Sequence, residues 1–335
     1  MKKRIRLIAG GLAALLIVLG AAVAWYFTSQ ALYPSWQIAE LGPCPPRRIE
    51  GFGEACGDLR RLGAFVFEDV KFRTDRGYEI PAWYIPVDRQ ANPAQKRAVL
   101  GLEPGRYAAF FVHGGGADRR EGYRLARYFI DRGIDYYMPD LTCHGMAACP
   151  HPGLSFGARE HLDVVDVFNA IHGRYDGVFV LGTSVGANST LMALPKIPDA
   201  KAIVAENPMY STRRFVRDTG AAPAFLPGWY RDILFKVLEW RGGFDGSYSS
   251  AVALKQAASV GIPVMFLHGT ADRLIPVTHS QDLAALYREN RGPAEIHIVD
   301  GAEHARVWNA GPAAYEAWLD EFFKAAVRPR IRIQF

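Results

Sequence analysis

The sequence predicts an α/β fold, with a mostly parallel central sheet, helices on both faces and a small cap insertion. Two observations predict it. Short, continuously apolar segments alternate with longer helical stretches, which is typical of parallel strands buried on both faces. The composition is that of a globular protein, with 50% hydrophobic and 22% charged residues, and it excludes disordered, collagen-like and coiled-coil chains.

Residues 1–30 are predicted to be a membrane anchor or a signal segment. The basic run MKKRIR precedes Leu7 to Gln30, an uncharged stretch long enough to cross a bilayer. Because a basic flank stays in the cytoplasm, we expect the body to be extracytoplasmic, either periplasmic or extracellular. Ala22-Val23-Ala24 resembles a cleavage site and would give a secreted protein, whereas the three aromatic residues after it suit a retained anchor. We favour the anchor.

The charge distribution argues against nucleic acid as a partner. The net charge is +5, but seven basic residues lie at the two ends: Lys2, Lys3, Arg4, Arg6, Arg328, Arg330 and Arg332. The body between them is mildly acidic and offers no phosphate-binding surface. We therefore expect no nucleic acid among the partners and a membrane contact through the N-terminal segment. The oligomeric state is left open.

The four cysteines suit an exported body, because an oxidising compartment permits disulfides. Three pairings are possible, and we favour the local one, Cys44 with Cys56 and Cys143 with Cys149. Zinc is the alternative, because His144 and His151 lie close to the second pair. No paired-ligand motif accompanies these residues, so we expect no metal.

Residues 31–63 are predicted to be a linker or extension, because they are rich in proline, glycine and arginine without apolar periodicity. The main domain is expected at 64–335, opening with two antiparallel strands around a turn at Asp75-Arg76-Gly77. Strands are expected at 65–72, 78–85, 108–112, 134–138, 178–181, 202–205, 264–267 and 296–299. Helices are expected at 120–131, 158–174, 185–194, 279–289 and 312–326, and residues 328–335 either add an edge strand or fray.

A cap insertion is predicted at about 213–250, where glycine and proline surround an apolar helical core between two strands. We expect it to cover the carboxyl edge of the sheet. Its apolar side chains either accommodate an apolar acyl group or pack as an ordinary helix on the core. They are Phe225, Leu226, Trp229, Tyr230, Ile233, Leu234, Phe235, Leu238 and Trp240.

Gly182-Thr183-Ser184-Val185-Gly186 is the sharpest functional signal. It lies directly between a predicted strand and a predicted helix, the context that a nucleophile elbow requires. The turn is so tight that its flanking positions tolerate only glycine. Ser184 is therefore the predicted nucleophile.

A serine hydroxyl needs a base to activate it, and the base needs a carboxylate to fix its tautomer. Asp272 follows the predicted strand 264–267, and His304 follows the last predicted strand. Their order after Ser184 along the chain is the order expected when an elbow serine is the nucleophile. We predict Asp272 as the acid and His304 as the base.

His113-Gly114-Gly115-Gly116 follows the predicted strand 108–112. Backbone N–H groups of this loop, together with that of Val185, can point at an oxyanion. Gly115 is the preferred donor and Gly114 the second choice. His113 is expected to support the loop rather than to carry protons.

These motifs resemble the α/β-hydrolase superfamily over about residues 65–326. Within it, the chain is similar to the membrane-anchored α/β-hydrolase-domain proteins and to the serine aminopeptidase-like and dienelactone hydrolase-like branches. The resemblance implies Ser184 as nucleophile, Asp272 as acid, His304 as base and the Val185 amide as an oxyanion donor. Glu206 is the alternative acid that some members use, and the motif around Asp272 is the better match.

One loop departs from the family pattern. Relatives often have Asp-x-Arg-Gly-x-Gly-x-Ser after the fourth strand, whereas this chain has DLTCHGMA at 140–147. A bridge between Cys143 and Cys149 would stiffen the altered loop. His144 either faces substrate or lies at the surface, and we favour the surface.

The sequence thus predicts a serine hydrolase that cleaves a carboxylic ester, of a small molecule or a lipid, through an acyl-enzyme on Ser184. A thioesterase or peptidase of the same fold is an alternative, because fold does not fix substrate. A catalytically idle scaffold held at the membrane is the other alternative. No metal or organic cofactor is implied.

Overall fold

The computed structural model describes residues 2–33, 57–90, 100, 102, 105–219 and 226–327. Eight strands of this part form one sheet, in the order β1-β2-β4-β3-β5-β6-β7-β8. They are β1 Glu68–Arg73, β2 Glu79–Ile85, β3 Tyr107–Val112, β4 Ile134–Pro139, β5 Gly177–Thr183, β6 Ala202–Glu206, β7 Val264–Gly269 and β8 Ala294–Val299. β2 pairs antiparallel with β1 and with β4, and every other pairing is parallel.

Helices cover both faces of this sheet. They are α1 Lys2–Leu32, α2 Ala126–Asp131, α3 Glu160–Ile171, α4 Val185–Ala193, α5 Thr212–Asp218, α6 Gly228–Gly242, α7 Ser250–Ala257, α8 Thr278–Glu289, α9 Val307–Ala310 and α10 Pro312–Val327. The predicted fold class is confirmed.

The strands β3 to β7 are buried along their whole length and mostly apolar, because helices cover both faces of the sheet there. In β5, Val180 belongs to the core beneath α3, α4, α7 and α8, whereas its neighbour Leu181 belongs to the core beneath α2 and α10. Phe110 and Phe111 of β3 divide in the same way. Successive side chains of a strand point to opposite faces, so a strand covered on both faces is apolar at most positions and not only at alternate ones.

The first predicted strand begins later than expected, at Glu68. Before it, the rings of Phe65 and Phe67 pack against Tyr123, with centroids 5.8 Å and 6.3 Å away. Phe65 and Phe67 are therefore packed against other parts of the domain, but through contacts with Tyr123 and not as part of a paired strand. Cys44 and Cys56, which form one predicted disulfide, and residues 328–335, which include the predicted edge strand, lie outside the described residues.

Two helices, α5 and α6, occupy the segment predicted to be a cap between β6 and β7. Asp232 of α6 joins them through ion pairs of 2.6 Å to Arg217 and 3.2 Å to Arg213. α7 begins at Ser250, where the predicted segment ends, and it buries Leu254 in the core of the sheet. The cap therefore consists of α5 and α6.

Helix α1 fits a signal anchor or signal sequence, with a mean hydropathy of 2.6 in its most apolar segment. Its apolar side chains from Ile5 to Leu19 are exposed. The second half packs on the body: Arg241 of α6 donates to the Trp25 carbonyl at 2.7 Å, and the Leu154 N–H donates to the Leu32 carbonyl at 3.0 Å. The end of α1 is thus part of the folded domain.

Candidate active site

Ser184 lies on a strained turn between β5 and α4. Its φ of 54° and ψ of −117° are a conformation that residues other than glycine rarely adopt. A Cβ atom at Gly182 would lie 2.4 Å from the Gly186 carbonyl oxygen, and one at Gly186 would lie 2.0 Å from the Val112 carbonyl oxygen. Both glycines are therefore required, as the sequence predicts, and the turn presents the Ser184 hydroxyl beyond the end of β5.

A continuous hydrogen-bond chain begins at this hydroxyl. Ser184 Oγ lies 2.9 Å from His304 Nε2, and His304 Nδ1 lies 2.7 Å from Asp272 Oδ2. His304 Nδ1 donates to the carboxylate, which leaves Nε2 free to accept the hydroxyl proton. The structure thus brings together the three residues predicted as nucleophile, base and acid.

Asp272 is buried in a set of donors that stabilise its anion. Oδ1 accepts the N–H groups of Leu274 at 2.9 Å and Ile275 at 2.8 Å. Burial raises the pKa of Asp272, but hydrogen bonds from His268 and His304 outweigh it and hold the pKa well below its usual value. Asp272 is therefore an anion wherever His304 could act as a base.

The glycine loop after β3 offers one free donor rather than two. The Gly114 N–H donates to the buried Glu121 carboxylate at 2.7 Å and is occupied. Gly115 borders the same cavity as Ser184, and a Cβ on it would lie 2.9 Å from Val185. Val185 is the first residue of α4, where backbone N–H groups have no partner within the helix. Gly115 and Val185 thus flank the hydroxyl.

Glu206, the alternative acid, is engaged elsewhere. Its Oε2 accepts from Arg124 Nη2 at 2.9 Å and from Tyr315 Oη at 3.2 Å, and its Oε1 accepts from the Val307 N–H at 3.2 Å. Within the described residues, the carboxylate that contacts His304 is that of Asp272.

A cavity of about 440 Å³ opens beside Ser184 and His304. Side chains from α1, from the cap helices and from the loops after β4, β6 and β7 line it. The apolar ones are Tyr26, Phe27, Ala31, Leu154, Phe156, Met209, Phe215, Val216, Leu238, Leu274 and Ile275. Of the apolar cap side chains named from the sequence, Leu238 lines this cavity, whereas Leu234 and Phe235 pack in the core; α5 adds Phe215 and Val216 to the lining.

Residues 159–328, which include Ser184, Asp272 and His304, match the sequence model of the prolyl oligopeptidase family, Peptidase_S9. The chain belongs to this family.

The chain is also similar in sequence to curated proteins. The uncharacterized protein YfhR of Salmonella typhimurium is 27% identical over 238 residues, which are 70% of this chain and 73% of YfhR. The probable isoprenylcysteine alpha-carbonyl methylesterase ICME of Oryza sativa subsp. japonica is 24% identical over 210 residues, which are 57% of this chain and 49% of that protein.

Among solved structures, the esterase Pf2001 of Pyrococcus furiosus superposes with a TM-score of 0.60 at 18% identity, over 80% of this chain and 95% of the esterase. This likeness shows the fold. Together with the prolyl oligopeptidase family match, it confirms the resemblance to the α/β-hydrolase superfamily and identifies the chain as a serine hydrolase.

Sequence reasoning missed Arg124, a buried arginine that holds this prolyl oligopeptidase-family site together. Besides Glu206, its guanidinium donates to Thr183 Oγ1 at 2.9 Å and to the Ala305 carbonyl at 3.0 Å. Thr183 and Ala305 are the direct neighbours of Ser184 and His304. No motif signals this role, because an arginine in an amphipathic segment is usually exposed.

Asn207 was also missed, although its position carries a signal. It directly follows β6 at the edge where the other functional residues lie, and it has a positive φ of 51°. Its amide donates to Asp272 Oδ2 at 2.8 Å and accepts the Ala305 N–H at 3.3 Å. Asn207 thereby ties the loop of the acid to the loop of the histidine.

The expectation that His144 lies at the surface is wrong. His144 is buried, its Nδ1 donates to the Thr142 carbonyl at 3.0 Å, and burial lowers its pKa. The loop folds inward because Asp140 accepts the Met146 N–H at 2.8 Å and the predicted Cys143–Cys149 disulfide closes it. Since both sulfur atoms form the disulfide, they cannot also be zinc ligands.

His113 supports the loop as expected. Its Nδ1 donates to the Gly114 carbonyl at 2.9 Å, and its Nε2 accepts the Leu141 N–H at 2.9 Å. This arrangement uses both ring nitrogens of a neutral imidazole. The ring thus fixes the glycine loop to the loop that follows β4.

Proposed function

We propose that this protein hydrolyses a carboxylic ester through an acyl-enzyme on Ser184. The hydrogen-bond chain from Ser184 through His304 to Asp272, with steps of 2.9 Å and 2.7 Å, carries the proposal. Such a chain activates a hydroxyl that is otherwise a weak nucleophile.

In the first half-reaction, His304 Nε2 takes the Ser184 proton while Oγ attacks the acyl carbon. The N–H groups of Val185 and Gly115 stabilise the oxyanion that forms. The C–O bond to the alcohol then breaks, and His304 returns the proton to the departing oxygen. Asp272 stabilises the imidazolium throughout. In the second half, water replaces the alcohol, and the same proton transfers release the acid and restore Ser184.

The lining of the cavity supports an ester with an apolar acyl group. Among the described residues that line it, none is aspartate, glutamate, lysine or arginine. A peptidase that reads a free terminus of its substrate needs a charge to pair with it, because burying an unpaired charge is costly. Peptide hydrolysis remains the second candidate, since the name of the prolyl oligopeptidase family favours it, and a thioester could enter the same cavity.

The location belongs to the same proposal. Helix α1 is retained as an anchor, with the basic N-terminus in the cytoplasm and the hydrolase domain on the other side of the membrane. The packing of its second half on α6 supports retention, because these residues are already part of the domain.

A matched pair of substrates tests the proposal. Purified full-length enzyme is offered the para-nitrophenyl ester and the para-nitroanilide of one acyl group, and it is labelled with a fluorophosphonate probe. We expect labelling at Ser184 and hydrolysis of the ester without measurable hydrolysis of the anilide. Measurable cleavage of the anilide would favour the peptidase, whereas an unlabelled, inactive protein would indicate an idle scaffold.

A further inference from the structure

The cavity beside Ser184 has an outer wall that comes from α1 and not from the sheet or the helices that cover it. Four residues of α1 line it: Tyr26, Phe27, Gln30 and Ala31. They face the catalytic side, where Ser184, His304 and Gly115 border the same space. The helix with the composition of a membrane span is therefore also a wall of the active-site cavity.

This wall is firmly attached to the cap. Arg241 of α6 donates to Thr28 Oγ1 at 2.6 Å and to Ser29 Oγ at 2.9 Å, and its guanidinium lies 3.6 Å from the centroid of the Trp25 ring. Thr28 is fully buried. These contacts fix α1 against α6 and keep one face of α1 toward the cavity. The positions of Phe27 and Ala31 in the cavity wall are therefore set by the packing of α1 on α6.

The same helix leaves the domain with an apolar surface. From Leu7 to Leu19 its large apolar side chains are all more than half exposed. Where α1 meets the cap, Trp25 and Tyr26 of α1 and Trp229 and Trp240 of α6 are also exposed. Exposed tryptophan and tyrosine at the end of an apolar helix are typical of the membrane interface. The cavity thus lies at the end of α1 that carries this interfacial pattern of aromatic residues.

We propose that this cavity is an acyl-chain site and that the substrate is an ester with a long, unbranched acyl chain, drawn from the bilayer along α1. The inference rests on the proposed ester hydrolysis at Ser184. A membrane-resident chain that follows α1 passes from lipid into an apolar cavity without exposure to water, so chain transfer carries no desolvation penalty for polar groups. Ala31 and Phe27 then determine which acyl lengths fit.

Ala31→Trp tests the wall, with Ala21→Trp as its matched control. Ala31 lines the cavity, whereas Ala21 is an exposed alanine of the same helix. Full-length enzyme in detergent is assayed with para-nitrophenyl palmitate and para-nitrophenyl acetate. Because a hydrophobic pocket discriminates about ten-fold or more per methylene group, we expect Ala31→Trp to lower the palmitate-to-acetate ratio of kcat/KM at least about ten-fold.

Ala21→Trp should leave that ratio unchanged. Both rates come from one preparation, so the ratio does not depend on the folded fraction. Ala31→Leu fills less of the cavity than Ala31→Trp and should lower the ratio by a smaller factor. Equal ratios in the wild type, Ala31→Trp and Ala31→Leu would overturn the acyl site. Ser184→Ala distinguishes a failure of the acyl site from a failure of the proposed function, because hydrolysis by Ser184→Ala would contradict ester hydrolysis at Ser184 itself.

Supply from the bilayer is tested with phosphatidylcholine vesicles. Reconstituted enzyme is given para-nitrophenyl palmitate either in its own vesicles or in separate, enzyme-free vesicles at the same total concentration. We expect hydrolysis at least about ten-fold faster when enzyme and ester share a bilayer. Equal initial rates would overturn delivery along α1.

Discussion

Arg124 and Glu206 form a buried ion pair behind the turn that carries Ser184, with 2.9 Å between Nη2 and Oε2. The same guanidinium reaches Thr183 and the Ala305 carbonyl, so one side chain joins the nucleophile turn, the end of β6 and the histidine loop. The pair has two consequences: it withdraws Glu206 from the histidine, and it makes the relative position of Ser184 and His304 depend on a residue of another element.

Ser184→Ala should abolish ester hydrolysis while leaving the fold intact, because it removes one oxygen and little volume. Loss of a triad serine can cost about 10⁶ in turnover. Ester hydrolysis and thermal unfolding are measured on the same sample. Ser247→Ala, at an exposed serine, is the control and should behave as the wild type. Near-normal hydrolysis by Ser184→Ala would contradict the assignment.

Asp272→Asn should cost far more activity than Glu206→Gln. Only the acid that contacts His304 Nδ1 can hold its tautomer, and the corresponding change costs about 10⁴ in a serine protease triad. Glu206→Gln should instead lower stability, because the buried Arg124 loses its hydrogen-bonded carboxylate partner and keeps only the charge of the nearby Glu121. Paired measurements of kcat and of the free energy of unfolding separate the two effects. A larger loss of kcat in Glu206→Gln would make Glu206 the acid.

Arg124→Met should destabilise the protein by about 3–5 kcal/mol, the typical cost of removing one partner of a buried pair. The double variant with Glu206→Gln should regain part of that loss, because the charge of Glu206 is removed together with that of Arg124 and only the buried Glu121 then lacks the guanidinium. Denaturant unfolding of the two single variants and the double variant gives the coupling. Simple additivity of the single changes would show that Arg124 and Glu206 do not stabilise each other.

Stability should fall between about pH 6.5 and pH 4 through the buried His161. Burial, together with the positive charge of Lys196, lowers the pKa of His161 from 6.5 to about 4, although the hydrogen bond to the Gly157 carbonyl and the negative charge of Glu160 favour protonation. In that window the unfolded chain binds a proton that the native protein does not. Each such group therefore removes about 1.4 kcal/mol of stability per pH unit of acidification.

Denaturant unfolding at a series of pH values checks this dependence. His161→Gln should flatten the slope, because glutamine does not titrate. Lys196→Met should flatten it less, since only the opposing charge 3.1 Å from His161 Nε2 is removed. An unchanged slope in His161→Gln would count against the proposed role of His161.

Full-length protein should be recovered in the membrane fraction, with an intact N-terminus and no free thiols. The reason is the long uncharged stretch after a basic flank, and the exported compartment in which cysteines oxidise. Cell fractionation, N-terminal sequencing and thiol titration under denaturing conditions test the three parts. A soluble protein beginning at Trp25 would contradict the anchor but keep export, whereas four free thiols on an intact cytosolic chain would contradict the whole topology.

Much of the fold and of the candidate site can be predicted from the sequence, because it depends on patterns within short segments of the chain. Continuous apolar runs mark strands buried on both faces, and Gly182 and Gly186 mark a turn that only glycine permits. Parallel strands place all their carboxyl ends at one edge, so Ser184, Asp272 and His304 can be assigned together from their positions after strands. Their side-chain chemistry then distinguishes nucleophile, acid and base, and their order along the chain matches the order expected for an elbow serine.

Only the tertiary structure decided the rest, because it depends on contacts between distant segments. Arg124 and Glu206 are 82 residues apart in the chain, and nothing local pairs them. From the sequence, either Gly114 or Gly115 could face the oxyanion. The structure distinguishes them, because the Gly114 N–H donates to Glu121. The burial of His144 and the placement of Ala31 against the cavity likewise require knowing which elements pack together, since burial and shape belong to the packed chain and not to any one stretch of it.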